Sequence, residues 1–247
     1  MTWDFFGPVH IISLVLAVII IYIMYLALRK TSEKTKLWVM GSISFLGILS
    51  MIYNIIFLGN PLENLPLHLC SFNAIVLPYA VFTKHKKICN MLLLWCLGAF
   101  VALVLNNGIV GLPVLGWRSF FYYFPHVFEF GIPILMFVFG LVEKDYKTIP
   151  MTIVVLLILF VMTFTANEVI NGFVAQYGLL TPEGKPVVAN YMFSSDPTAN
   201  PLVALFYSMI PVKFFYMLLA LPIVFVYLLL VYAPELIRAR KQKKQSV

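Results

Sequence analysis

The sequence has few charged residues and so lacks what a soluble protein surface requires. Only 11% of its 247 residues are Asp, Glu, Lys or Arg, whereas 62% are apolar and the mean hydropathy is +0.96. Soluble domains carry about 25% charged residues, so the composition indicates a chain built for lipid. The opening MTWDFFGPVH also lacks the basic segment and cleavage site of a removable signal peptide. We therefore expect the first apolar run to be a permanent span.

Cysteine is also scarce, and its spacing excludes two further classes of protein. Cys70, Cys89 and Cys96 match neither a disulfide framework nor a zinc knuckle. Internal repeats and low-complexity tracts are missing as well, which favours a single membrane domain over residues 1–247. The net charge of +7 could suggest nucleic acid, but the basic residues lie between apolar runs, where they orient a membrane protein and contact anionic lipid.

What the sequence does contain is about seven apolar runs that could each cross a bilayer, which takes roughly 20 residues. They cover approximately residues 7–28, 37–58, 66–82, 88–106, 119–142, 148–166 and 203–232. The connections alternate in charge, and 14 of the 17 Lys and Arg lie in four segments: 29–36, 83–87, 143–147 and 238–247. By the positive-inside rule these segments are cytoplasmic. The pattern predicts an all-α, polytopic bundle of about seven transmembrane helices, with the N-terminus outside and the C-terminus cytoplasmic.

The one long connection, residues 167–202, lies on the outer side before the last span. It contains four prolines and three glycines, and Asn, Tyr and Phe are scattered through it. A connection of this length in a compact protein is either a functional lid or disordered. The aromatic and amide side chains favour an ordered extracellular cap.

Polar side chains gather at one level of the predicted bundle, near the outer ends of at least five spans. Polar groups at membrane depth are costly and tend to face the bundle interior or a wet cavity. Because these polar side chains share one depth in the bundle, they predict one outward-facing pocket. Its members are His10, Asn54, His68, Cys70, Asn106, Asn107, His126, Glu129, Asn167 and Glu168.

Several of these residues have a structural interpretation that stays open. Asn54 and Asn106 could join helices by hydrogen bonds, as amides do in membranes, and His10 could be a buried hydrogen-bonding histidine. Glu129 follows His126 by three residues, so both lie on one helix face. The Glu129 carboxylate could orient the imidazole of His126, or it could only hydrogen-bond a buried partner.

The stretch LPLHLC (65–70) opens the third span and suggests a nucleophile. Pro66 suits the first position of a helix, which would place His68 and Cys70 in or just after the first turn. A helix N-terminus favours a thiolate. Residues two apart point to different faces, so a base for Cys70 would come from another span, and His126 lies at matching depth. A Cys–His pair supports acyl transfer through a thioester.

Four segments together resemble YwaF-type integral membrane proteins: GPVHIISLVLA in the first span, LPLHLC, the histidine of the fifth span, and NYMF at 190–193. Animal relatives of that family include a cysteine-dependent, CoA-independent lysophospholipid acyltransferase. The resemblance implies Cys70 as the acyl-accepting nucleophile and His126 as its general base. It also implies a pocket with His68 and His10, with Asn190 and Tyr191 in the NYMF segment.

The resemblance further implies ping-pong transfer of an acyl chain from an outer-leaflet phospholipid to a lysophospholipid or water, with no cofactor or metal. Asn54 or a backbone N–H near Cys70 could stabilise the oxyanion. The expected partners are membrane lipids and no nucleic acid, and the expected location is a bacterial plasma membrane.

Two other functions remain possible at this point. Seven spans with an outer N-terminus match a receptor or a rhodopsin-like binder, and Lys213 lies about ten residues into the last span, where it could form a Schiff base. The third span supplies no carboxylate as counterion, which counts against that reading. Alternatively, His10, His68, Cys70 and His126 could bind zinc or copper, because imidazole and thiolate are good ligands for both.

Overall fold

The protein is described from a computed structural model, which covers residues 1–105 and 108–245. Nine α-helices and five short 3₁₀ turns account for most of this described part, which contains no β-strand. The helices are α1 (Pro8–Leu28), α2 (Glu33–Phe57), α3 (Leu69–Thr83), α4 (Lys86–Leu105), α5 (Trp117–Val138), α6 (Ile149–Tyr177), α7 (Pro201–Met209), α8 (Ala220–Val231) and α9 (Ala233–Gln245). The predicted all-α fold class is confirmed.

Local sequence signals set many helix ends. Ser32 precedes α2, and its hydroxyl accepts the backbone N–H of Thr35, while Asn200 caps α7 in the same way through the N–H groups of Leu202 and Val203. Gly178 ends α6 with a φ of 61°, a left-handed conformation that glycine adopts without steric cost.

Five helical segments are long and apolar enough to cross a membrane, and a sixth is counted if the bent pair that contains α8 and α9 forms one span. These segments and the shorter α3 correspond to the seven predicted runs. At 1.5 Å per residue, the 15 residues of α3 extend about 22 Å, less than the roughly 30 Å of a hydrocarbon core. By length and composition, five or six of the seven predicted spans are therefore supported in the described residues, and α3 alone is too short to be counted with them.

Two predicted helix boundaries are wrong. The third helix begins at Leu69, so Pro66 lies before it rather than at its first position. The sixth helix continues to Tyr177, so the outer connection is 178–200, and Asn167 and Glu168 are helical. Residue type alone underestimates the length of α6, because Asn167 and Asn171 interrupt the apolar run but bond the outer connection from within the helix.

The last predicted span is broken rather than continuous. α7 ends at Met209, and Phe214 adopts a φ of 67° before a 3₁₀ turn at Phe215–Leu219 leads into α8. Pro211 has no N–H to donate, which is consistent with the helix ending just before it. At the inner end, the chain bends by 63° between the segment Phe215–Val231, which contains α8, and the helix α9 that follows it.

The centre of the bundle is formed by α2, α3, α4 and α5, with α3 packed against the other three. Small residues allow the helices to approach closely: a Cβ atom added to Gly47 of α2 would lie 2.7 Å from the Ala74 Cβ of α3. At the inner end, buried Asn90 ties three parts of the chain together. Its amide donates to the carbonyls of Lys86 and Glu143 and accepts from the Asp145 N–H and the Tyr232 hydroxyl.

Candidate functional site

Cys70 is the second residue of α3 and is half-buried at the outer end of the central helices. The first residue of α3 that donates a main-chain hydrogen bond backward is Phe72, to the carbonyl of His68. The N–H groups of Cys70 and Ser71 precede it in the open first turn. The Ser71 N–H and hydroxyl lie next to the thiol. This turn can therefore offer several donors to a negative charge that develops beside Cys70.

His68 occupies the N-cap position of α3, outside the helix itself. Its Nδ1 accepts the backbone N–H of Met192 at 3.2 Å, so in the neutral ring the proton is on Nε2. The ring packs against the aromatic rings of Tyr191 and Phe193, with centroids 5.5 and 5.6 Å away. The third span and the NYMF segment are thereby joined at the level of Cys70.

The NYMF segment is held against α6 by two amide clamps, one turn apart on the helix. Asn167 accepts the Tyr191 N–H at 2.9 Å and donates to the Tyr191 carbonyl at 2.9 Å and to Ser194 Oγ at 2.8 Å. Asn171 makes the same pair of bonds with the N–H and carbonyl of Ala189. Each clamp satisfies buried backbone groups of a segment whose regular structure is limited to the short 3₁₀ turn at Tyr191–Phe193.

Tyr191 extends this network to the connection before α3. Its hydroxyl donates to the Leu62 carbonyl at 2.5 Å and accepts the Leu65 N–H at 3.0 Å. Tyr191 is fully buried, and burial raises the pKa of its phenol. Met192 and Phe193 then take φ values of 51° and 58°, left-handed conformations that non-glycine residues adopt at a cost. The clamps hold this strained backbone against His68.

His126 presents one ring nitrogen as a base. Its Nδ1 lies 2.5 Å from the Tyr122 carbonyl oxygen, which can only accept, so in the neutral ring Nδ1 carries the proton and Nε2 carries the lone pair. The ring also packs against the Tyr122 ring, with centroids 4.6 Å apart. The group that orients His126 is therefore a backbone carbonyl, and the described part of the chain shows no hydrogen bond between His126 and Glu129.

Two prolines in α5 explain how this helix is fixed to its neighbours. A helical proline cannot donate to the carbonyl four residues earlier, which leaves that carbonyl without its usual partner. Pro125 frees the Phe121 carbonyl, which accepts the Ser50 hydroxyl of α2 at 2.5 Å. Pro133 frees the Glu129 carbonyl, which accepts the Asn73 amide of α3 at 3.2 Å. The helix that carries His126 is thus bonded to both α2 and α3.

The Glu129 side chain is buried, with 4% of its surface exposed. A Cβ atom at Gly47 of α2 would lie 2.9 Å from Glu129 Oε1, so the carboxyl group fills the space that this glycine leaves. Within the residues that the structure describes, nothing donates to Glu129 Oε2, and the same holds for Asn73 Oδ1. A buried carboxyl group without a cationic partner is much less costly in its neutral form.

These residues converge on one region of the bundle. The imidazoles of His68 and His126 lie close enough to interact electrostatically. The Cys70 thiol is close enough to interact with Glu129 and with Tyr122, which lie on either side of His126 in α5. No hydrogen bond links the thiol to His126 among residues 1–105 and 108–245. Such contacts are often long before substrate binds.

His10 has a separate structural environment. Its Nε2 donates to the Leu103 carbonyl at 2.9 Å, and its Nδ1 accepts the Phe6 N–H at 3.0 Å. The side chain is 1% exposed. Because both nitrogens are engaged, His10 ties the start of α1 to the outer part of α4 and has no lone pair left for a proton or a metal.

The remaining predicted residues are placed as follows. Asn190 closes a turn through the N–H groups of Ser195 and Asp196, and Asn54 is half-buried near the end of α2. Asn106 and Asn107 lie outside the described residues. Sequence reasoning missed Asn73, Ser50 and Asn171. The prolines four residues after Phe121 and Glu129 were a usable signal that two carbonyls needed donors.

The two alternative functions find no support in these contacts. Lys213 lies in the break after α7, is 61% exposed, and pairs with Glu168 at 3.5 Å, so its ammonium group is directed to that carboxylate rather than into the bundle. Among the residues searched, which are the described ones, no three His, Cys, Asp or Glu side chains are grouped closely enough to hold a metal ion.

A model of the TMEM164 family matches residues 5–232, nearly the whole chain. The chain belongs to the TMEM164 family. The match includes every candidate site residue, from His10 to Tyr191, and the family is one of membrane proteins. No curated protein and no solved structure matches the chain significantly. Membership and the apolar helices together establish a multi-pass membrane protein.

Proposed function

We propose that this TMEM164 family member is a membrane transacylase that moves an acyl chain between phospholipid and lysophospholipid through a thioester on Cys70. The observation that carries the proposal is the contact between His126 Nδ1 and the Tyr122 carbonyl, which assigns the proton to Nδ1 and makes Nε2 the basic nitrogen. Cys70 supplies the nucleophile in the open first turn of α3, in the same region. The resemblance to YwaF-type proteins agrees with this pairing of a cysteine and a histidine.

In the first half-reaction the Cys70 sulfur attacks the carbonyl carbon of a phospholipid ester while its proton moves to Nε2 of His126. The tetrahedral intermediate places a negative charge on the former carbonyl oxygen, and the N–H groups of the first turn of α3 are its proposed donors. Collapse breaks the bond to the glycerol oxygen, which takes the proton from His126. A lysophospholipid leaves, and the acyl chain stays on sulfur.

In the second half-reaction the hydroxyl of another lysophospholipid, or water, attacks the thioester. His126 accepts the hydroxyl proton and returns it to the Cys70 sulfur as the thioester breaks, so the enzyme is restored. His68 and Tyr191 are proposed to form the pocket wall. The connection 178–200, which Asn167 and Asn171 hold in place, is proposed as its outer cap.

Intact-protein mass spectrometry after incubation with phospholipid tests this mechanism. We expect a hydroxylamine-sensitive acyl adduct on wild type and on Cys89→Ser, a matched control because Cys89 is buried in the core against the Ala80 carbonyl. Cys70→Ser should give no such adduct, and His126→Ala should acylate at least 100-fold more slowly, the lower range of a positioned base. An adduct on Cys89 or Cys96, or none on folded wild type, would refute the proposal.

A further inference from the structure

A second candidate site lies at the inner end of the bundle, whereas Cys70 and His126 belong to the outer level. A cavity of about 450 Å³ opens between the end of α5, the connection that follows it, and α9. This volume falls within the range of small-molecule sites. The cavity is lined by Phe137, Val142, Glu143, Lys144, Glu235 and Arg238.

The lining combines both signs of charge with an apolar wall. Phe137 and Val142 are the apolar members, and Val142 is 8% exposed. Two carboxylates and two cations complete the lining, so their formal charges cancel. Glu143 already has a cationic neighbour, because its Oε2 atom lies 3.8 Å from Lys86 Nζ. A ligand that carries both charges matches this lining better than one with a single charge.

Glu235 requires a hydrogen-bond donor from the ligand. Its Oε2 atom is shielded from solvent, yet no group of the described residues donates a hydrogen bond to it. A buried acceptor without a donor is costly, and more so when it is charged. An ammonium group would supply a charge-assisted bond. A quaternary ammonium such as choline has no N–H and could not.

Lys144 and Arg238 supply the opposite chemistry. Lys144 Nζ donates to the Val231 carbonyl at 3.1 Å, at the end of α8, which fixes the ammonium group and leaves two of its three donors available. Arg238 follows Glu235 by three residues and therefore shares its helix face. Both groups can bind a phosphate, and Glu235 lies beside them.

The position of the cavity indicates where such a ligand would come from. The charge asymmetry places the α5–α6 connection and α9 on the cytoplasmic side. The 63° bend before α9 turns this basic helix away from the preceding span, as expected of a helix that lies at the membrane surface among headgroups. The apolar wall of Phe137 and Val142 would face the glycerol and the start of the acyl chains.

We propose that this cavity binds the headgroup of an inner-leaflet phospholipid that carries a protonated primary amine, with phosphate at Lys144 and Arg238 and ammonium at Glu235. The site is independent of the chemistry at Cys70. Its occupant would hold α9 against the α5–α6 connection.

Native mass spectrometry of the full-length protein tests the proposal with phosphatidylethanolamine, phosphatidylcholine and phosphatidylglycerol supplied in equal amounts. We expect wild type to retain phosphatidylethanolamine about tenfold better than either other lipid, the effect of one charge-assisted hydrogen bond. Equal retention of the three, or a preference for phosphatidylglycerol, would overturn the proposal without any variant.

Variants of the lining residues test which side chain binds the ammonium group and which binds the phosphate. Glu235→Gln should abolish the preference for phosphatidylethanolamine over phosphatidylcholine, and Lys144→Gln should weaken retention of all three lipids. Lys241→Gln is the matched control, since it removes a cation from α9 outside the cavity, and it should behave as wild type. An unchanged preference in folded Glu235→Gln would refute the assignment.

Two further experiments distinguish a membrane lipid from a free headgroup, and this cavity from the site at Cys70. Glycerophosphoethanolamine at the same concentration should not displace the lipid, and binding of this soluble molecule alone would contradict a membrane ligand. Cys70→Ser should keep the lipid preference unchanged, so failure of the transacylase mechanism and failure of this site are distinguishable.

Discussion

Replacing Asn167 with alanine removes the clamp that holds the NYMF segment against α6. The wild-type amide accepts the Tyr191 N–H and donates to the Tyr191 carbonyl and to Ser194 Oγ. The carbonyl keeps one donor in the variant, because the Ser194 hydroxyl also bonds it at 3.2 Å. The group that loses its partner is the Tyr191 N–H, in a residue that is fully buried.

The expected magnitude follows from that one buried donor. An unsatisfied buried polar group costs about 1–3 kcal/mol, so we expect Asn167→Ala to lower the free energy of unfolding by roughly 2 kcal/mol. For a chain of this size that corresponds to a fall of roughly 4–8 °C in the unfolding midpoint. The Met192 N–H that bonds His68 lies next in the chain, so the outer end of α3 should loosen with the segment.

Thermal unfolding in detergent, followed by tryptophan fluorescence, measures the effect. Asn190→Ala is the matched control, because it makes the same substitution in the same connection but frees the Ser195 and Asp196 N–H groups near the surface, where water can replace the amide. It should change the midpoint by less than about 1–2 °C, as surface substitutions do. Equal midpoints for the two variants would refute the clamp as the source of stability.

Three further substitutions test the site. Glu129→Gln should fold as stably as wild type and keep Cys70 open to alkylation, since the buried carboxyl lacks a cationic partner among the described residues. A loss of folding would show that the charge of Glu129 is needed. His10→Ala should lower the unfolding midpoint by roughly 5–10 °C, because it frees the Leu103 carbonyl and leaves a cavity. Acylation of Cys70 per folded molecule should stay within about twofold of wild type. Loss of acylation in folded protein would contradict a purely structural role for His10. Ser50→Ala should cost about 1–2 kcal/mol through the Phe121 carbonyl, and an unchanged midpoint would show that water or relaxation of α5 satisfies that carbonyl.

Hydrogen-bond partners could be anticipated only in part from the sequence. A proline at 125 or 133 shows by itself that the carbonyls of Phe121 and Glu129 need donors from elsewhere. It does not show that Ser50 and Asn73 provide them, because these residues lie 71 and 56 positions away in the chain. The same limit applies to His10, whose partner at Leu103 is 93 positions away.

The sequence by itself determined the membrane class, the order of the apolar helices and the polar level near their outer ends. These properties depend on how many apolar residues occur in a row and on where the basic residues fall, which are local quantities. Only the tertiary structure decided which polar residue bonds which. It gave His10 two structural bonds, oriented His126 through a carbonyl rather than through Glu129, and joined His68 to Met192. Those outcomes depend on the angles at which separate helices pack and on backbone groups freed by prolines and loops, which no short stretch of sequence contains.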